Sequence, residues 1–199
     1  FWDVSEGSVT VGGVDVRKLD YADLMKHISI VFQDTNLFKM SVAENVAMYK
    51  PGASREEIME VLRQAQCEDI LEKLPNGVDS VIGARGVYLS GGEMQRIALA
   101  RAILKDAPIV LLDEATAFAD AENEYLIQRA LDILLHGKTV LMIAHRLQTI
   151  VHADQIIVMQ RGGIAEQGTH EELMQRQGVY AKMYHEYENS VSWKIGGWA

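Results

Sequence analysis

Leu89-Ser90-Gly91-Gly92-Glu93 opens a long run, Met94-Gln95-Arg96-Ile97-Ala98-Leu99-Ala100-Arg101-Ala102-Ile103-Leu104, and Ile109-Val110-Leu111-Leu112 then ends on Asp113-Glu114. The first run reads as a helix that is mostly apolar, with Arg96 and Arg101 as its charged exceptions, and so as a buried one. The second is a short apolar strand of the kind found inside a parallel sheet. Two glycines and a serine at a helix N-terminus leave backbone N–H groups free and let a phosphate approach closely. The same residues also make an ordinary serine N-cap with a glycine-rich turn, and locally both readings stand.

Working outward, apolar runs alternate with helical stretches, which predicts an α/β fold with a mostly parallel sheet. Val9-Thr10-Val11 and Val14-Asp15-Val16 flank Gly12-Gly13, the mark of an antiparallel β-hairpin. A helix is expected from Asp20, then strands at Ile28–Phe32, Ile109–Leu112, Thr139–Ala144 and Gln155–Met159, with Arg161-Gly162-Gly163 turning into a last strand. Ser41…Glu44, Ser54…Glu57 and Thr169…Glu172 fit the capping box. Ile58, Val61, Leu62 and Ala65 share one helical face. These elements divide the chain into core residues 1–33, an inserted helical subdomain over 34–105, further core over 106–178, and a C-terminal helix and tail over 179–199. In that tail, Tyr180, Tyr184 and Trp193 are expected on a helix packed against the core.

Three strands end abruptly in polar residues. Gln33 follows Phe32, Asp113-Glu114 follows Leu112, and His145 follows Ala144. Ligands of open parallel sheets bind at the carboxyl ends of strands, so these residues are candidates for one crevice. Any single one is equally well a polar strand ending, and Asp113-Glu114 also suits a helix N-cap. Asp113 suits Mg²⁺ held largely through water, Glu114 suits orienting or deprotonating a water, and Gln33 offers both a donor and an acceptor. Gly137-Lys138-Thr139 imitates a phosphate-binding loop, but Asp132 stands where that loop needs a glycine, and the tripeptide leads into a strand.

Composition narrows the function. Among 199 residues, 28 are acidic and 19 are Lys or Arg, a formal net charge of −9 that disfavours nucleic-acid backbones as partners. Cys67 is the one cysteine, which excludes an internal disulfide framework and cysteine-rich zinc sites. No apolar run approaches the roughly 18 residues of a membrane span.

Taken together these residues resemble the nucleotide-binding domain of an ABC transporter, a P-loop NTPase-like core with an inserted helical subdomain. Ser90, Gly91, Gly92 and Glu93 are similar to its signature motif, Ile109–Asp113 to the Walker B strand, and Glu114 to the catalytic carboxylate. Gln33 resembles the Q-loop residue, Asp120 the D-loop aspartate, and His145 the switch histidine. The resemblance is strongest to exporter-fold members and implies ATP and Mg²⁺, the metal held by Asp113 and Gln33. It also implies a second ATPase domain, identical or related, whose ATP meets this chain's signature. A transmembrane domain upstream on the same polypeptide is implied as well, with this domain at the cytoplasmic face of the membrane. An alternative within the wider family is a soluble ATPase acting on DNA or ribosomes.

Four departures accompany the resemblance. The glycine-rich Walker A loop is absent, and Phe1-Trp2-Asp3 resembles the residues just after the Walker A helix, so the chain is expected to be a piece of a longer one and inactive alone. Glu93 stands for the usual glutamine. Ala84 stands where exporters often carry a glutamate. Phe118-Ala119-Asp120 replaces the usual D-loop, and is similar to the subgroup that handles iron–siderophore complexes.

Overall fold

The computed structural model describes residues 3–32, 35–83, 87–113, 121–144 and 146–196, and only the backbone of 121, 122 and 190–196. Two compact units emerge, Phe1–Ile143 and Ala144–Ala199.

In the first unit, β1 (Thr10–Val11) and β2 (Val14–Asp15) pair antiparallel with Val11 opposite Val14. Gly12 and Gly13 between them have φ of +57° and +80°, the consecutive positive angles that a two-residue hairpin turn needs. Asp20 caps α1 (Tyr21–Lys26), accepting from the Ala22 N–H at 2.9 Å. After β3 (Ile28–Val31) comes the helical insertion: β4 (Met40–Ser41), α2 (Val42–Ala47), α3 (Arg55–Gln64), α4 (Glu68–Lys73), β5 (Val81–Ile82) and α5 (Gly91–Lys105). The unit closes with β6 (Ile109–Asp113), α6 (Ala121–Leu135) and β7 (Thr139–Ile143).

β3, β6 and β7 form a parallel sheet in that order, so the fold is mixed α/β as expected. Gly137, with φ of +70°, separates α6 from β7, and the imitation of a phosphate loop is indeed a strand start. β4 and β5 clasp the insertion antiparallel, Met40 opposite Ile82, a pairing too short to leave any alternation in the sequence. Asn45 is fully buried and fixes the segment before α2: its Oδ1 accepts from the Phe38 N–H at 2.9 Å, and its Nδ2 donates to the Phe38 carbonyl at 3.0 Å.

The centre of the unit is α5, which packs on α2, α3, α6 and β3. Ile97, Leu99 and Ala100 are wholly buried there, against Leu62 of α3 and Ile127 of α6. Burying each large aliphatic side chain contributes about 1.5–3 kcal/mol, which is why an all-round apolar helix sits inside. Its two charged exceptions both find hydrogen-bond partners on neighbouring segments. Arg101 donates to the Asn45 carbonyl at 2.8 Å, and Arg96 pairs with Asp69 of α4.

The second unit holds the antiparallel pair β8 (Ile156–Gln160) and β9 (Gly163–Gly168), joined through Arg161 and Gly162 at positive φ. Thr169 and Glu172 close a capping box at α7 (His170–Arg176). The Glu166 carboxylate accepts from the N–H groups of Val179 and Tyr180, at 2.9 and 2.8 Å, at the start of α8 (Val179–Gly196). Tyr180 is buried with Ile156, Val158 and Leu173 and Tyr184 packs beside them, so this part of α8 packs within its own unit; the side chain of Trp193 lies outside the described residues. Among the described residues no helix is long and apolar enough to cross a membrane.

Candidate functional site

β3, β6 and β7 run in one direction as hydrogen-bonded neighbours, with Val31 opposite Leu112 and Asp113 opposite Ile143. Their carboxyl ends therefore lie side by side at one edge of the sheet. Asp113 is the last residue of β6 and half-buried. Gln33, Glu114, Asp120 and His145 lie outside the described residues, as do Ala84, Phe118 and Ala119.

The Ser90 region is described in full. Ser90 is the N-cap of α5 with extended φ and ψ of −66° and 162°. Its Oγ accepts from the Glu93 N–H at 3.2 Å, and the Glu93 carboxylate accepts from the Ser90 N–H at 2.8 Å. The serine-cap reading is thus realised, as a full capping box. The phosphate reading survives it, because the first intrahelical bond runs from the Met94 N–H to the Ser90 carbonyl. The N–H groups of Gly91 and Gly92 lie ahead of that bond and have no acceptor within the helix. Gly91 is exposed and lies at the positive end of the helix dipole. Gly92 is needed for a second reason. A Cβ there would lie 2.8 Å from Asn123 Cγ of α6, so only glycine permits this approach of the two helices.

Charges crowd the same turn. Lys73, at the end of α4, reaches Glu93 Oε1 at 3.0 Å, and Glu93 is only 13% exposed. Burial works against the Glu93 carboxylate, but the Ser90 amide and Lys73 outweigh it and hold its pKa below the usual value. The hydrogen bond to Glu93 in turn raises the pKa of Lys73. Next to them Arg96, 1% exposed, grips Asp69 with two hydrogen bonds of 2.7 and 2.9 Å. Arg96 also donates to the Gln66 carbonyl and, at 3.2 Å, to Asn123 Oδ1. Desolvation opposes the charge on Arg96, yet Asp69 overrides it and the pKa is raised. Cys67 nearby is buried, which pushes its thiol up to about 12 and leaves it unreactive.

Sequence reasoning picked out Ser90, Gly91, Gly92, Glu93 and Asp113 but missed Lys73, Asp69 and Asn123. A charged Arg96 inside an apolar helix was the one available sign that an acidic partner had to lie within its reach. Among the described residues no group of three or more His, Cys, Asp or Glu is placed to hold a metal ion.

A family model described as ABC transporter matches residues 2–117. Over 184 residues the chain is 48% identical to the ATP-dependent lipid A-core flippase of Legionella pneumophila (strain Lens), covering 92% of this chain and 31% of that protein. It is 50% identical over 184 residues to the mycobactin import ATP-binding/permease protein IrtA of Mycolicibacterium smegmatis, covering 92% of this chain and 21% of that one. Among solved structures, a bacterial Atm1-family ABC exporter with ATP bound superposes with a TM-score of 0.85 at 39% identity, over 93% of this chain and 32% of that chain. The chain therefore spans about a third or less of the length of the relatives it matches. A flippase, an import protein and an exporter lend nothing to a soluble ATPase acting on DNA or ribosomes. With more than half of its residues inside the family model and nine-tenths aligned to each relative, this chain belongs to the ABC transporter family.

Proposed function

We propose that these residues are most of the ATP-hydrolysing motor domain of a longer membrane transporter, working at the cytoplasmic face of the membrane. The observation that carries this reading is the N-terminus of α5, where a satisfied cap leaves the amide of the exposed Gly91 without an acceptor in the helix, at the positive end of its dipole. Packing against Asn123 accounts for Gly92 but not for the exposed Gly91, where a glycine costs helix stability. In a head-to-tail pair of such domains, identical or related, Ser90, Gly91, Gly92 and Glu93 would receive the terminal phosphate of ATP held mainly by the partner domain. The helical subdomain over 34–105 would pass the resulting movement to a transmembrane domain upstream on the same polypeptide, while 1–33 and 106–178 form the core and 179–199 the tail. Alone, residues 1–199 contain no G-x-x-x-x-G-K-[ST] loop and are expected to be inactive.

At the sheet edge, the Asp113 carboxylate is a hard oxygen donor that suits Mg²⁺. Asp113 and Gln33 would hold it largely through water. When bound, Mg²⁺ supplies neutralisation of charge on the phosphate oxygens. Glu114 would orient or deprotonate the attacking water, His145 would donate to a phosphate oxygen or to Glu114, and Asp120 would line the partner interface.

The test uses the full-length protein carrying Glu114→Gln, so that hydrolysis does not reopen the pair. Adding Ser90→Arg is expected to abolish ATP-dependent closure of the two domains while equilibrium ATP binding stays unchanged, since the bulk of arginine cannot fit between the glycine turn and a facing phosphate. Equal loss of both measurements would overturn the head-to-tail reading.

A further inference from the structure

Glu93 poses an electrostatic problem if the start of α5 accepts a phosphate. Its carboxylate is a full negative charge in the first helical turn, folded back onto the Ser90 N–H at 2.8 Å and so one residue from the Gly91 amide. The helix dipole favours one anion here, and Glu93 already occupies that favourable field. Two like charges a few ångströms apart in a partly desolvated place repel well beyond what bulk water would allow.

The opposing charge is in place. Lys73 Nζ lies 3.0 Å from Glu93 Oε1, the oxygen nearer to α4, while Oε2 makes the cap. Lys73 is also 3.8 Å from Asp69, whose carboxylate is clamped by the buried Arg96. The lysine thus comes from an element whose position is fixed by Arg96, and its ammonium lies between two acids. Its side chain is 67% exposed, so it contributes little to the core and can be replaced without opening a cavity.

We infer that Lys73 is a positioning residue for the phosphate-accepting end of α5: by pairing with Glu93 it holds that carboxylate in the cap and cancels the charge that would oppose an incoming nucleotide phosphate. This rests on the function proposed above. Lys73 does not touch the nucleotide; it acts through Glu93 alone. A glutamine at position 93 closes the same capping box without a charge and needs no such lysine.

The experiment is a titration of ATP-dependent domain closure in the full-length protein carrying Glu114→Gln. Lys73→Met is expected to raise the ATP concentration for half-maximal closure by about three- to tenfold, tenfold corresponding to ~1.4 kcal/mol. ATP binding to the open form and the thermal midpoint stay unchanged. Lys73→Arg restores the wild-type midpoint to within about twofold, because the charge is kept. Added to Glu93→Gln, Lys73→Met shifts the midpoint by less than about twofold, because the charge it compensated is gone. An equal shift with and without Glu93→Gln, or no shift with Lys73→Met, overturns the inference. Ser90→Arg in parallel separates the two failures: if it blocks closure while Lys73→Met does not, only the role of Lys73 falls, and if neither acts, the phosphate reading of α5 falls with it.

Discussion

Two helices begin with the same device and use it differently. α3 starts with Ser54, Arg55, Glu56 and Glu57, and α5 with Ser90, Gly91, Gly92 and Glu93; both close a full capping box. In each, a lysine salt-bridges the box glutamate, Lys50 to Glu57 at 2.7 Å and Lys73 to Glu93 at 3.0 Å. The surroundings diverge. Glu57 is 45% exposed, and the two residues between serine and glutamate are charged and exposed. Glu93 is 13% exposed, and the intervening residues are glycines, one pressed against Asn123 and the other open to solvent. The same hydrogen bonds are a surface stability device at α3 and, on the function proposed above, a platform for an anion at α5. What separates them is burial and the absence of side chains, both of which strengthen the field at the exposed Gly91.

The largest difference is expected at the third residue of each box. Gly92→Ala places a methyl group 2.8 Å from Asn123 Cγ and 2.9 Å from its Cβ, so α5 and α6 must separate or Asn123 must rotate away from Arg96. The cost, about 1–3 kcal/mol, exceeds the gain of roughly 0.5–1 kcal/mol that alanine ordinarily brings to a helix. Glu56→Ala is on an exposed face and should stay within about 0.5 kcal/mol. Denaturant midpoints of the two variants measure this, and an equal response would show that the glycine is not required by packing.

A smaller effect is expected from Ser54→Ala. Losing the Oγ acceptor for the Glu57 N–H, 3.2 Å away, should cost about 1 kcal/mol and lower the thermal midpoint by about 2–4 °C. ATP-dependent closure should be unaffected, whereas any change at Ser90 alters it. A Ser54→Ala variant that impairs closure would mean that the two caps are not functionally distinct.

Acid provides the subtlest test. The hydrogen bond from Lys50, then the Ser54 amide, holds the Glu57 pKa below its ordinary 4.5. A depressed folded-state pKa contributes stability above the unfolded value, and that contribution is lost as the pH falls through 4.5 and past the folded value. The thermal midpoint of wild type should therefore exceed that of Glu57→Gln at neutral pH, and the margin should narrow as the pH falls through 4.5 and close once it is past the lowered folded value. A margin independent of pH would assign the stabilisation to packing of the side chain and not to its charge.

The strands, the hairpin turn at Gly12-Gly13 and the capping boxes were legible because each depends on neighbours a few residues apart. A serine three residues before a glutamate, or a pair of glycines between alternating valines, carries its geometry within itself. The apolar α5 likewise announced its burial. At the site, Ser90 to Glu93 and Asp113 could be read from residue type and placement. Lys73 could not, because one more exposed lysine on an acidic surface carries no signal until it is seen 3.0 Å from Glu93.

The amino-acid sequence by itself determined the α/β class, the parallel strands followed by polar residues, and the serine-capped, glycine-rich start of α5. The tertiary structure alone decided which partners the buried charges meet. Arg96 finds Asp69 27 residues away, Arg101 finds the Asn45 carbonyl 56 residues away, and β4 finds β5 on the far side of α2, α3 and α4. Each contact depends on loop closure and on how whole helices pack, while a local pattern records only the conformation of its own few residues. A buried charge demands a partner but does not say where in the chain that partner lies.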